Sequence, residues 1–263
     1  HRELSETFAF EALDTTRVDE DPTAVGRFIG FSTEYDVPSG SIALVGGTAI
    51  TMGPQGVVEN ATVLVEGNRI VAVGPASMIT IPAGAARVDA SGKYLMPGIV
   101  DVHAHVATGS SGMQPVTNWE FLVNLAYGVT TLHDPSNDTE AVFTSSEMLK
   151  TGQTIGPRLF STGRILYGAD TDYKVVVESY EDALSHLRRL QAVGAFTVKS
   201  YNQPRRDARQ QIVEAARELE MMVVPEGGST YYFNMTHVLD GHTGIEHNIP
   251  VTPLYRDVLT LIG

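Results

Sequence analysis

The rhythm of apolar positions changes near Pro97. Before it, they come in short β-branched runs at 41–52 (SIALVGGTAITM) and 61–73 (ATVLVEGNRIVAV), with a further strand or hairpin at 86–95 (ARVDASGKYL). Gly46-Gly47 and Gly67-Asn68 interrupt these runs and read as turns. After Pro97, strand and helix patterns alternate. Strands are expected at 99–103, 128–134, 158–166, 196–201, 221–226 and 243–247. Helices are expected at 118–127, 139–151, 207–220, 232–239 and from about Pro253. Another opens at Ser179, with Asp182 three residues on as in a capping box and Ala183, Leu187 and Leu190 along one stripe.

Repeated strand–helix units imply a parallel sheet with right-handed crossovers. A closed eight-stranded barrel takes about 250 residues, and only 97–263 follow the change of rhythm. The expected fold is therefore α/β: a partial TIM-type barrel of about six strands behind a small β-sandwich segment. The division reads as 1–40 a linker or tail of a preceding domain, 41–96 the sandwich part and 97–263 the incomplete barrel.

Charge and cysteine content remove several functions. The net charge of -13 repels phosphate backbones and anionic lipid, so neither nucleic acid nor membrane is an expected partner. With no cysteine, disulfides and thiolate metal sites are excluded. No apolar run approaches the roughly 20 residues that span a bilayer. No signal peptide opens the chain, and His1-Arg2-Glu3-Leu4 reads as the inside of a longer protein. The compartment stays open between cytoplasm and a secreted or periplasmic location.

The sharpest chemical motif is Pro97-Gly98-Ile99-Val100-Asp101-Val102-His103-Ala104-His105. Strand alternation puts Asp101, His103 and His105 on one face, and two imidazoles at the C-terminal end of a strand can share a divalent metal. Other candidates end later strands. Lys199 ends 196–201, where it binds at the site, snorkels or pairs with Glu226. Glu226 closes 221–226 and His247 closes 243–247. His133, beside Asp134, and His242 are candidates for contact with substrate or with the metal-holding residues, and His237 lies in an expected helix. No Gly-rich phosphate loop and no G-x-S-x-G elbow is present.

KYLMPGIVDVHAH (93–105) resembles the first barrel strand of the amidohydrolase superfamily, and ENATVLVEGNRIVAVGP (59–75) resembles its flanking β-sandwich. NLAYGVTTLHDPSN (124–137) and DGHTGIEHNIP (240–250) resemble, more narrowly, amidohydrolases fused behind a TolB-like β-propeller. The resemblance implies a site for one or two divalent ions, zinc first, held by His103, His105, Lys199 as a CO₂-derived carbamate, and His247. Lys199 and His247 carry its catalytic chemistry. Glu226 departs from the pattern, since the family's fifth strand usually ends in a histidine ligand; a carboxylate can take that place. The family's eighth-strand aspartate, which ligates metal and shuttles a proton, has no counterpart in this chain.

The implied reaction is hydrolysis of an amide, cyclic amide or dipeptide bond in a small molecule by metal-activated hydroxide. Two other readings compete: a mononuclear deaminase of the same superfamily, against which Lys199 speaks, and a catalytically incomplete metal-binding or structural fragment. An incomplete barrel exposes strand edges, so the chain is expected to associate with itself or with a missing remainder.

Overall fold

The computed structural model describes residues 32–109, 113–167, 175–203, 205–228 and 230–263, so the expected tail at 1–40 lies largely outside the described residues. Residues 35–263 form one unit.

Its first part is a five-stranded sheet. β1 (Ser41–Ile50) lies between β2 (Val57–Glu66), antiparallel to it, and β4 (Ala86–Asp89), parallel to it. β3 (Arg69–Pro75) flanks β2, and β5 (Tyr94–Leu95) also pairs with β1. Alternate residues of these strands bury Ala49, Ala61 and Val63 against Leu44, Val58, Val65, Val73 and Leu95. The run at 61–73 is therefore a hairpin, turning at Gly67-Asn68 with Gly67 at φ +56°. That positive φ at the first central position suits a two-residue turn. Gly46-Gly47 is no turn. Gly46, at φ +84°, sits in a bulge inside β1 where the pairing register shifts.

The second part alternates strand and helix. β6 (Ile99–Asp101), β7 (Val129–Asp134) and β8 (Arg158–Ser161) form a parallel sheet in that order. β9 (Leu166–Tyr167), β10 (Val175–Val176), β11 (Thr197–Ser200) and β12 (Met222–Pro225) form another, ordered β10-β9-β11-β12. The helices are α1 (Trp119–Ala126), α2 (Thr139–Lys150), α3 (Tyr180–Ala192), α4 (Arg206–Glu218), α5 (Tyr231–Asp240) and α6 (Arg256–Ile262). Among the described residues the parallel strands do not close into a barrel.

Two cores back these sheets. Phe121, Leu132, Val142 and Leu159 join β7 and β8 to α1 and α2. Leu166, Leu187, Leu190, Val198, Ile212, Ala216 and Val223 join β9, β11 and β12 to α3 and α4. α3 starts where expected: Ser179 accepts from the Asp182 amide, and Asp182 accepts from the Ser179 amide.

Every expected strand after Pro97 is trimmed at an end, and three change more. The run at 158–166 divides into β8 and the start of β9. β6 stops at Asp101, because the Asp101 carboxylate accepts from the His103 amide at 3.0 Å and turns the chain. Residues 243–247 form no strand. Glu246 makes one parallel bridge to Glu226, and His247 then takes φ +67°, which ends extended pairing.

β6 depends on Gly98. A Cβ there would stand 2.1 Å from Thr130 Oγ1 and 2.3 Å from Thr130 Cγ2. Gly98→Ala should cost about 1–3 kcal/mol through overpacking. Urea unfolding checks this, and Thr130→Ala in the same chain should recover part of the loss, which an effect unrelated to that contact would not allow.

Candidate functional site

Parallel pairing sends the C-terminal ends of β6, β7, β11 and β12 to one mouth, and the expected residues gather there. A series of contacts runs through them. The His105 and His103 rings stand edge to face, with centroids 5.0 Å apart, and His103 and His247 lie 4.8 Å apart. His247 Nε2 meets Glu226 Oε1 at 2.5 Å, and Glu226 Oε2 meets Lys199 Nζ at 2.5 Å. His103 Nδ1 contacts Glu246, and His105 Nδ1 lies 3.2 Å from Asp134 Oδ1.

Strand register explains the Lys199–Glu226 pair. Lys199 aligns with Val224 of β12, and Glu226 follows two residues later on the same face. Lys199 is 2% exposed, so its ammonium needs a carboxylate, and Glu226 supplies one. Burial pushes the Glu226 carboxyl up. The hydrogen bond and charge of Lys199, with His247 adding to them, outweigh it and hold the group below the usual range. Of the readings open for Lys199 and Glu226, the structure shows the ion pair.

His103 and His105 meet by a different route from the strand alternation expected. The strand has already ended, and the turn at Asp101 carries His103 to the mouth while Asp101 itself is occupied by the His103 amide; His105 stands beside His103, against Asp134. His133 faces an open-sided cavity of about 670 Å³ bordered by β6, β7, β8, β11 and β12 and lined by Val100, Thr131, Phe160, Val224, Glu246 and His247 among others. Both of its nitrogens are engaged: Nδ1 with the Val102 carbonyl at 3.2 Å and Nε2 with Thr197 Oγ1 at 2.8 Å. Burial holds its pKa below the ordinary value and favours the neutral ring, with the hydrogen on Nδ1 toward the Val102 carbonyl. His133 is thus a crosslink between β7 and β11.

His242 does not join the group. Its Nδ1 donates to the His237 carbonyl at 3.0 Å, and its ring lies 4.8 Å from that of His237, which is fully buried behind β12 in α5. Sequence reasoning passed over Glu246 and Asp134. Each stands next to a histidine already singled out, and that adjacency was the available signal.

The donor types suit a zinc-like divalent ion: imidazoles from three histidines and a carboxylate, with a lysine beside them. The side chains are turned onto one another, His103 to Glu246 and Glu226 to both Lys199 and His247. Among the described residues no three His, Asp or Glu side chains form a ready metal cluster. Binding an ion requires these pairs to loosen.

No family model matches the chain. In sequence it is 49% identical over 67 residues to a 5-methylthioadenosine/S-adenosylhomocysteine deaminase from Symbiobacterium thermophilum, covering 25% of this chain and 15% of that protein. It is 47% identical over 53 residues to an imidazolonepropionase from Streptomyces coelicolor, covering 20% and 13%. Thus the matched stretch spans about one-seventh of these relatives. In structure it is similar to a candidate prolidase from Bifidobacterium longum, with TM-score 0.68 and 20% identity over 86% of this chain and 57% of that one. It is also similar to a Xaa-Pro dipeptidase with bound methionine in the active site, with TM-score 0.66 and 18% identity over 84% and 64%. These likenesses give the fold.

His237 and His242 carry a pH consequence. Burial lowers each to about 4 from the ordinary 6.5. The folded state therefore prefers the neutral rings and the unfolded chain takes up protons first. The stability is fully present above pH 6.5 and is lost as pH falls toward 4. Urea unfolding at pH 7.5, 5.5 and 4.5 should show a loss on the order of 3 kcal/mol from these groups. His237→Gln should make the acid limb shallower; an unchanged limb would remove His237 as a cause.

Proposed function

We propose, on the support both comparisons give to the amidohydrolase superfamily, that the chain is the metal-holding part of a hydrolase that cleaves C–N bonds of a small molecule. The observation that carries this reading is the meeting of His103, His105, Lys199, Glu226 and His247 at the C-terminal ends of parallel strands. These five would hold the ion or ions, zinc first. A bound divalent ion supplies Lewis acidity, bringing the pKa of water down toward about 7 and polarising a carbonyl.

The chain's own residues prepare that chemistry. Glu226 keeps its negative charge against burial through Lys199 and His247, so a carboxylate is in place to face a cation. Lys199 can become a ligand only by losing its proton and leaving Glu226. Carbamylation does both, but sets a second anion beside the Glu226 carboxylate, so it favours loading together with a cation. His133 fixes the spacing of the loop after β6 from β11. The apolar lining of the cavity, Val100, Val102, Phe160 and Phe196 beside polar groups at the mouth, suits a partly apolar substrate.

The scissile bond belongs to the same proposal: an amide, cyclic amide or dipeptide bond, supported by the likeness to a dipeptidase fold. A deaminase is the second reading, favoured by the local identity to deaminases; the buried Lys199 at the mouth supports the first. A TolB-like propeller ahead of residue 41 is also part of the proposal, resting on the motifs at 124–137 and 240–250. Val100 in β6 and Val102 just beyond it, 57% and 68% exposed, support association with further strands.

Elemental analysis of the purified chain, loaded with Zn²⁺ in bicarbonate, tests the reading. About one to two metal equivalents are expected, with a clear fall in His103→Ala and in Lys199→Ala. Absence of bound metal, or metal content indifferent to both variants, would overturn it. Assays of amino acid release from Xaa-Pro dipeptides and of ammonia release from purines then separate peptidase from deaminase.

A further inference from the structure

Asp134 ends β7 with no exposed surface, and nothing in the reading above uses it. Alternation along β7 explains its place. Thr131 and His133 face the cavity, whereas Leu132 and Asp134, both fully buried, face the helix side. From that side the carboxylate reaches the loop that follows β6.

Both oxygens are taken. Oδ1 accepts from the Ser136 amide at 3.0 Å and meets His105 Nδ1 at 3.2 Å. Oδ2 accepts from the Val106 amide at 3.2 Å and from Asn137 Nδ2 at 2.7 Å. Two backbone amides and a side-chain amide donate to the group, filling three of its four acceptor positions, and the fourth faces His105 Nδ1. A carboxylate there accepts from Nδ1–H, which leaves the Nε2 lone pair of His105 for a cation.

We propose that Asp134 is the positioning residue of the histidine pair: it fixes the tautomer of His105 and ties the loop carrying that ring to the loop after β7. The idea rests on the reading that His105 faces the ion, and the experiment separates the two.

The ¹⁵N shifts of the His105 ring in the wild-type chain, free of metal at pH 8, report the tautomer. The hydrogen is expected on Nδ1; finding it on Nε2 overturns the proposal, and this measurement needs no variant to fold. In Asp134→Asn the amide can donate to Nδ1, so the Nε2–H form should grow at His105. Affinity for Zn²⁺ alone, read by competition with a chromophoric chelator, should fall about 10- to 100-fold. A variant that folds and keeps both the tautomer and the affinity overturns the proposal. His105→Ala tests the underlying reading: if it binds Zn²⁺ as the wild type does, His105 is not a ligand, and Asp134 then has no metal site to serve.

Discussion

Parallel register is the constraint from which the site follows. Short strands running the same way bring their C-terminal residues to one mouth, but only a correct register chooses which side chains look inward. Lys199 opposite Val224 places the lysine and Glu226 on one face; a slip of one residue would turn one of them toward the helices. The same rule acts along β7, where His133 and Asp134 are neighbours in sequence and look in opposite directions. A buried ammonium beside a half-buried carboxylate then holds that register in place, because separating them would leave the ammonium alone in a medium that solvates it poorly.

Much of this was legible in the chain. The helices follow their apolar stripes to within a residue or two, and the Ser179–Asp182 capping box forms as written. The five metal-ligand candidates lie along one series of pairwise contacts, His105 to His103 to His247 to Glu226 to Lys199, without forming a ready cluster. What the pattern could not convey is where strands stop. Asp101 ends β6 through a side-chain bond to the His103 amide, and the left-handed backbone of His247 ends the pairing begun at Glu246. The first is a local competition between side chain and backbone and the second a change of backbone conformation, and periodicity registers neither. Glu246 and Asp134 were missed for a related reason: each contacts not the histidine beside it in sequence but one in the loop after β6, His103 for Glu246 and His105 for Asp134.

Behind β12 a second polar group does structural service. Arg209, 3% exposed, bonds Asp240 Oδ2 at 3.1 Å and the Gln203 carbonyl at 2.8 Å, joining α4 to the end of α5. His237 and His242 lie in the same layer. The charged groups at the mouth and those behind the strand are thus separate sets, one around Glu226 and the other around Asp240.

The division of the parallel strands into two hydrogen-bonded sheets has a bearing on cooperativity. β6, β7 and β8 share one ladder and core, β9 to β12 another, and side chains such as His133 on Thr197 and His103 on Glu246 bridge them. Backbone ladders resist opening far better than a few side-chain contacts do. The mouth therefore lies on the seam between the two ladders, which Phe143 also spans by packing against both cores. A cation gripping ligands from both sides would act there as a rivet, linking the occupancy of the site to the mechanical unity of the fold.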